Sequence, residues 1–269
     1  MAIFATLGLS SPTRAQSNVP VPAAAAAEKK PVIVFLEPPQ ERFFAKQLDF
    51  HGIPILAARI VSDRALYAAY DRLALQLKHL PVVTRNLAAK GAQLQIIGKD
   101  QVTSDLPDHR PLKGKPLPQY NGLTVDERTR GLGGLHVSCG EENLLKLEQD
   151  RYRGRDICLH EFAHNIFRNG IQKELRERFD RQYHTSLDKG LWVGAYAASN
   201  LDEYFAELTM WYFGTRGDLN MTGAKPAEGP GGLKAYDPDA FALFDDCYGG
   251  RIPVEPLPPA TNTKRQQNK

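Results

Sequence analysis

The feature that most constrains this chain is a pair of segments that put polar side chains four residues apart on otherwise apolar helical faces. The first, D-I-C-L-H-E-F-A-H-N-I-F at 156–167, carries His160 and His164. The second, S-N-L-D-E-Y-F-A-E-L-T-M-W-Y-F-G at 199–214, carries Glu203 and Glu207 among Tyr204, Phe205 and Trp211. An i, i+4 spacing turns both members of each pair to one side of a helix. Two carboxylates facing an apolar surface are costly unless their charge is compensated, and a divalent cation compensates it.

Residues 156–169 read as a helix capped by Asp156, with Ile157, Phe162, Ile166 and Phe167 as apolar contacts and Asn169-Gly170 as its end. His160 and His164 can reach one metal ion. Glu161 follows about 100° round the helix, where a carboxylate addresses a metal-activated water and not the metal. The H-E-x-x-H pattern is expected roughly 0.01 times in a shuffled chain of this composition. A catalytic zinc takes three protein ligands and leaves one position open. Glu203 is the candidate third ligand. It has a second reading as the return half of a capping box begun by Asn200. His136 and His184 compete as ligands. His184 sits at the polar end of a helix and is more simply solvated, and His136 lies on the face of a strand opposite Val137.

The pairing of H-E-F-A-H with Y-A-A-S-N-L-D-E-Y-F-A-E resembles the zinc protease domain of anthrax lethal factor and its relatives, the Pro-Pro endopeptidases among them. The resemblance spans roughly 130–250 and implies a zincin-like, gluzincin-type catalytic domain. It implies His160, His164 and Glu203 as ligands of one Zn2+ and Glu161 as general base. Tyr196, seven residues before Glu203, becomes an active-site tyrosine and Glu207 a supporting carboxylate. Ala163 stands where well-known members have glycine, a change that leaves the ligand spacing intact. Tyr196 has a second reading as a packed aromatic among Trp192, Tyr204 and Tyr212.

The rest of the chain sets the class. Short strands are expected at 32–36, closed by Pro38-Pro39, at 54–60, in A-Q-L-Q-I-I-G and in G-G-L-H-V-S-C-G. Helices are expected at 63–79, with Asp63 as N-cap and Pro81 as stop, at 82–90, and through most of 155–250. Strands first and helices after predict an α+β fold with a small mixed sheet in the N-terminal half. Residues 104–133, rich in Pro, Gly and charge, read as a long loop bordering a site. G-G-L-H-V-S-C-G is expected to edge the cleft, where an extended peptide could pair with it.

Residues 31–250 form the expected catalytic domain. Residues 1–30 contain the apolar stretch A-I-F-A-T-L-G-L and a small-residue site near Ala15, without a positively charged start. They read as a truncated export signal with a disordered linker, or as a disordered tail alone. The first reading expects a secreted or periplasmic protein. Residues 251–269, Pro-rich and polar, read as a disordered tail. Cys139, Cys158 and Cys247 lack C-x-x-C spacing; Cys139 and Cys247 could pair in an exported protein, or all three could stay reduced.

A net charge of +3 over 269 residues does not argue for a nucleic-acid partner. No apolar run is long enough for a membrane span. The partner expected is a protein or peptide substrate of a zinc endopeptidase. Two other readings fit the residues: a metal-containing binding protein without turnover, and a zinc hydrolase of a non-peptide amide. Glu161 weighs against the first, since a binding module has no use for a base there.

Overall fold

Alternation along the strands sorts the first half of the chain onto two faces. In the computed structural model, which describes residues 31–217 and 220–258, β1 (Val34–Gln40), β2 (Phe44–Phe50) and β3 (Ile53–Ala58) form an antiparallel meander. Helices α1 (Asp63–Leu77) and α2 (Pro81–Lys90) return the chain to β4 (Gln93–Ile97), parallel to β3. A run of turns containing the single-turn α3 (Val125–Arg128) leads to β5 (Gly131–Leu132) and β6 (His136–Gly140). The sheet order is β1-β2-β3-β4-β6-β5, with β6 parallel to β4 and β5 antiparallel to β6. Then come α4 (Glu141–Leu144), α5 (Ile157–Asn165), α6 (Lys173–Asp188), α7 (Leu201–Tyr212), α8 (Gly229–Tyr236) and α9 (Pro238–Tyr248). The architecture is α+β, with a mixed sheet first and helices after. Among the described residues no helix is long and apolar enough to cross a membrane.

Ile55, Ala57, Leu94, Ile96, Val137 and Cys139 face the main core, which the helices fill. Leu56 and Ile97, one step out of phase, join Phe44 and Leu106 in a small cluster on the other face. That period of two is the strand's own geometry.

Two caps fix the helices that matter for the site. Asp156 accepts the Leu159 N–H at 3.0 Å, and its other oxygen lies 2.7 Å from Arg72 of α1. Asn200 accepts the Glu203 N–H at 3.0 Å and starts α7. Side-chain acceptors there satisfy N–H groups that have no partner inside the helix. The Phe205 ring of α7 packs on Phe167, Phe179 and Phe244 at 4.8, 4.8 and 5.2 Å between centroids. This aromatic cluster packs α7 against the π-helical turn that follows α5 and against α6 and α9.

Several local expectations change. Pro38-Pro39 do not close the first strand: β1 runs through them to Gln40. As a sheet edge paired only with β2, and with its register shifted between Phe35 and Gln40, it has no need of those N–H donors. β2 is an additional strand, whose apolar alternation is interrupted by Lys46, buried by a Val61 carbonyl and Asp63. Ser62, not Asp63, caps α1. Pro81 opens α2 as well as ending its predecessor, because its missing N–H costs nothing in a first turn. β6 is interior and the edge strand is β5.

All three cysteines are free and buried, and Cys139 lies against Cys158 in place of the Cys247 pairing considered from sequence. Residues 253–257, expected to belong to a disordered tail, are strapped to the body. The Asn86 side chain donates to the Glu255 carbonyl and accepts from the Leu257 N–H, both at 2.9 Å, while Gln172 donates to the Pro253 carbonyl at 3.0 Å. Ile252 and Val254 pack on the core. The expected signal at residues 1–30 and the tail from 259 onward lie outside the described residues.

Candidate active site

His160 comes from the middle of α5, His164 from its last turn and Glu203 from the first turn of α7. Their atoms converge. His160 Nε2 and His164 Nε2 are 3.2 Å apart, and Glu203 Oε2 lies 3.2 Å from the first and 3.4 Å from the second. Ligands about 2.0 Å from a tetrahedral zinc stand about 3.3 Å from one another. Glu203 Oε2 is buried without a well-directed hydrogen bond, although two imidazole nitrogens are within reach. The three atoms surround a shared position at the spacing of tetrahedral ligands, so the donor set fits a zinc ion.

The capping alternative for Glu203 is half right. Its N–H is taken by Asn200, but its carboxylate turns to the histidines and not back to the cap.

Glu207, one turn along α7, is fully buried, and its Oε1 lies 3.1 Å from His160 Nδ1. Arg155 approaches the same oxygen at 3.2 Å. A histidine whose far nitrogen is held by a carboxylate has a fixed ring orientation and a more basic near nitrogen.

Glu161 borders the cleft, and a donor atom from each of His160, Glu161 and His164 lies within 4.8 Å of the others. Tyr196 is partly exposed at the same cleft, its ring stacked beside that of His160 at 6.5 Å between centroids. Trp192 and Tyr204 are buried in the core instead. Tyr196 therefore does not belong to the packed aromatic group of its second reading.

The electrostatics follow from this crowding. Burial by itself would lower the His160 pKa, but the Glu203 and Glu207 carboxylates beside the imidazole raise it to about 10. Burial pushes Glu203 up, yet His160 and His164 outweigh that and hold it well below the usual carboxylate range. Glu161 is raised, by burial first and by Glu203 and Glu207 next, against the pull of the two histidines. Burial and the neighbouring Glu203 raise the Tyr196 hydroxyl.

The cleft has a volume of about 300 Å³. Its wall facing the helices comes from the end of the long loop and from β5: Tyr120, Arg128, Gly131, Leu132 and Gly133. The strand at the cleft is thus β5, with β6 behind it. A Cβ on Gly133 would sit 3.1 Å from the His164 Cβ and 3.2 Å from a Glu161 oxygen, so the loop passes over α5 with no room to spare. His136 and His184 stay outside, His136 facing Asp108 at 2.8 Å and His184 facing Asp180 at 3.6 Å.

Sequence reasoning did not find Arg155 or Gly217. A Cβ on Gly217 would come within 2.1 Å of Glu207 Oε2 and 2.3 Å of the Trp211 ring. Neither residue carries a local signal, because the partner of each is distant in the chain.

No protein-family model matches the chain, and no curated protein matches it. Among solved structures it is similar to a Pro-Pro endopeptidase from Paenibacillus alvei, at 19% identity and a TM-score of 0.49, over 69% of this chain and 92% of that one.

Proposed function

We propose that the chain is a zinc-dependent endopeptidase, with His160, His164 and Glu203 as metal ligands. The observation that carries this is the triangle of three ligand atoms with edges of 3.2, 3.2 and 3.4 Å, with a glutamate directly beside it. When bound there, zinc supplies Lewis acidity, which acidifies water and polarises a carbonyl.

The protein's own groups do the rest. Glu161 accepts a proton from the attacking water at its carboxylate and delivers it to the departing amide nitrogen. Its raised pKa brings it nearer the value such a shuttle works best at. The Tyr196 hydroxyl donates to the substrate carbonyl oxygen as negative charge grows on it. Glu207 holds His160 Nδ1 and so fixes the near nitrogen. The free edge of β5 offers backbone groups to an extended peptide. Export from the cytoplasm forms part of this reading, on the apolar stretch near the N-terminus.

The test is zinc analysis with peptide-library cleavage on the native protein, Glu161→Gln and Glu203→Ala. The expected result is one zinc per chain in the native protein and in Glu161→Gln, cleavage by the native protein only, and loss of zinc in Glu203→Ala. Undiminished zinc affinity in Glu203→Ala would remove Glu203 from the ligand set. A zinc-loaded native protein that cuts no peptide in the library overturns the peptidase reading.

A further inference from the structure

Three arginines line the cleft: Arg128, Arg155 and Arg168. Two have acidic partners within the protein. Arg155 faces Glu207 at 3.2 Å, and Arg168 bonds Asp202 at 2.8 Å. Arg128 differs. No carboxylate among the described residues pairs with its guanidinium, which lies 5.9 Å from the centre of the Tyr120 ring. The two acidic residues before it on α3 are committed elsewhere. Asp126 accepts from the Ser104 backbone N–H and hydroxyl at 2.8 and 2.7 Å, and Glu127 accepts from the Thr124 N–H and hydroxyl at 2.8 and 2.9 Å.

The turn that presents Arg128 is rigid for its size. Thr124 and Glu127 close a reciprocal capping box, and Val125 is fully buried beneath it. Arg128 is exposed and lines the same cleft as Glu161, Tyr196 and Glu203, which sets its charge on the side of the reacting groups. The remaining carboxylates of the cleft lining, Glu161 and Glu203, would offset a divalent cation held there. With those charges matched, one positive charge is left at the mouth.

We infer that Arg128 is a specificity residue, which selects peptides carrying an aspartate or glutamate side chain close to the bond placed over Glu161. This rests on the peptidase reading above for the direction of the cleft and the identity of its occupant. A guanidinium binds a carboxylate through two parallel N–H donors and has no comparable match with the corresponding amide. The preference is therefore for Asp over Asn and Glu over Gln, not for polarity in general. It acts at the mouth of the cleft, in contact with water, so it weakens with salt.

The experiment uses the zinc-loaded Glu161→Gln protein, which keeps the cleft and does not turn over. It is exposed to a blocked, randomised octapeptide library, and the bound fraction is sequenced. The expected result is enrichment of Asp and Glu over Asn and Gln by about 10-fold at low salt, lost when Arg128→Gln is added. Zinc content should stay the same in the double variant. Arg128→Lys should restore part of the enrichment, since charge returns without the fork. Absence of acidic enrichment, or enrichment that survives Arg128→Gln, overturns the inference. Should acidic peptides bind through Arg128 while the native protein cuts none of them, the peptidase reading falls and with it the specificity role, leaving Arg128 as a binding residue only. In the native enzyme, the same substitution should raise KM for acidic peptides with little change in kcat. An equal fall in kcat for acidic and neutral peptides would assign Arg128 to the reaction itself and overturn a specificity role.

Discussion

Glu207 Oε1 stands 3.1 Å from His160 Nδ1 while Arg155 approaches that same oxygen at 3.2 Å, so one buried carboxylate oxygen joins a half-buried cation to an imidazole of the cleft. Removing its charge should be felt on the far side of the ring. Glu207→Gln is expected to weaken zinc binding 10–100-fold, about the range for loss of a carboxylate behind a ligating histidine. Chelator competition followed by circular dichroism would separate this from unfolding. Unchanged affinity would show that the carboxylate only fills space.

Without metal, the His160–Glu203 pair should make stability depend on pH in two directions. The His160 pKa is raised from 6.5 to about 10 in the folded protein, so its contribution is complete below pH 6.5 and is lost as pH rises through about 10. The Glu203 pKa is lowered from 4.5, so its contribution is present above that value and is lost as pH falls. Both describe one interaction and are not additive. Urea melts of the chelator-treated protein should therefore show a plateau that falls at both ends, and the alkaline fall should vanish in His160→Gln. Zinc must displace the His160 proton, so affinity should rise with pH, and calorimetry in buffers of different ionisation enthalpy should register proton release.

Tyr196→Phe should lower kcat by about 10²–10³-fold with little change in KM, because the hydroxyl acts on charge that develops only during the reaction. Zinc affinity should be unaffected. A fall in zinc content would instead tie the hydroxyl to Glu203, its neighbour in the site.

Gly217→Ala should destabilise the fold by about 1–3 kcal/mol, the usual cost of forcing an added methyl into a filled space. The added carbon meets the Glu207 carboxylate and the Trp211 ring. Zinc affinity should fall with it, since Glu207 must move. Thermal melts with and without zinc would report both effects.

Asp156→Ala should cost about 2–4 kcal/mol. It removes the cap of α5 and leaves Arg72, largely shielded from water, without its partner. Asp156→Asn should recover the capping part only.

The two helices of the site were legible because each element of the pattern is local: a cap, an apolar stripe at helical spacing, and a glycine at or just beyond the end. α5, with the π-helical turn Ile166–Gly170 that continues it, and α7 fall within a few residues of the expected bounds. His184 was read as solvated and His136 as lying opposite Val137, and each faces an acidic side chain away from the cleft. What failed depended on neighbours in space. Pro38-Pro39 looked like a strand stop because nothing in the sequence says that β1 is an edge. The two residues of β5 are too few to show alternation, so its place beside the cleft went to β6. Arg155 and Arg128 are two among many arginines until Glu207 and the committed carboxylates of α3 are seen.

The triangle of His160, His164 and Glu203 atoms has a consequence for the chain between them. His164 and Glu203 bracket all of α6 and the turns that follow it, so an ion held by both closes that segment into a loop. Such a closure removes conformations from the unfolded chain in the way a covalent cross-link does, and more so for longer loops. Metal would then serve as a reversible tether for α6, and stripping it should loosen that helix before the sheet, which none of the ligands ties down.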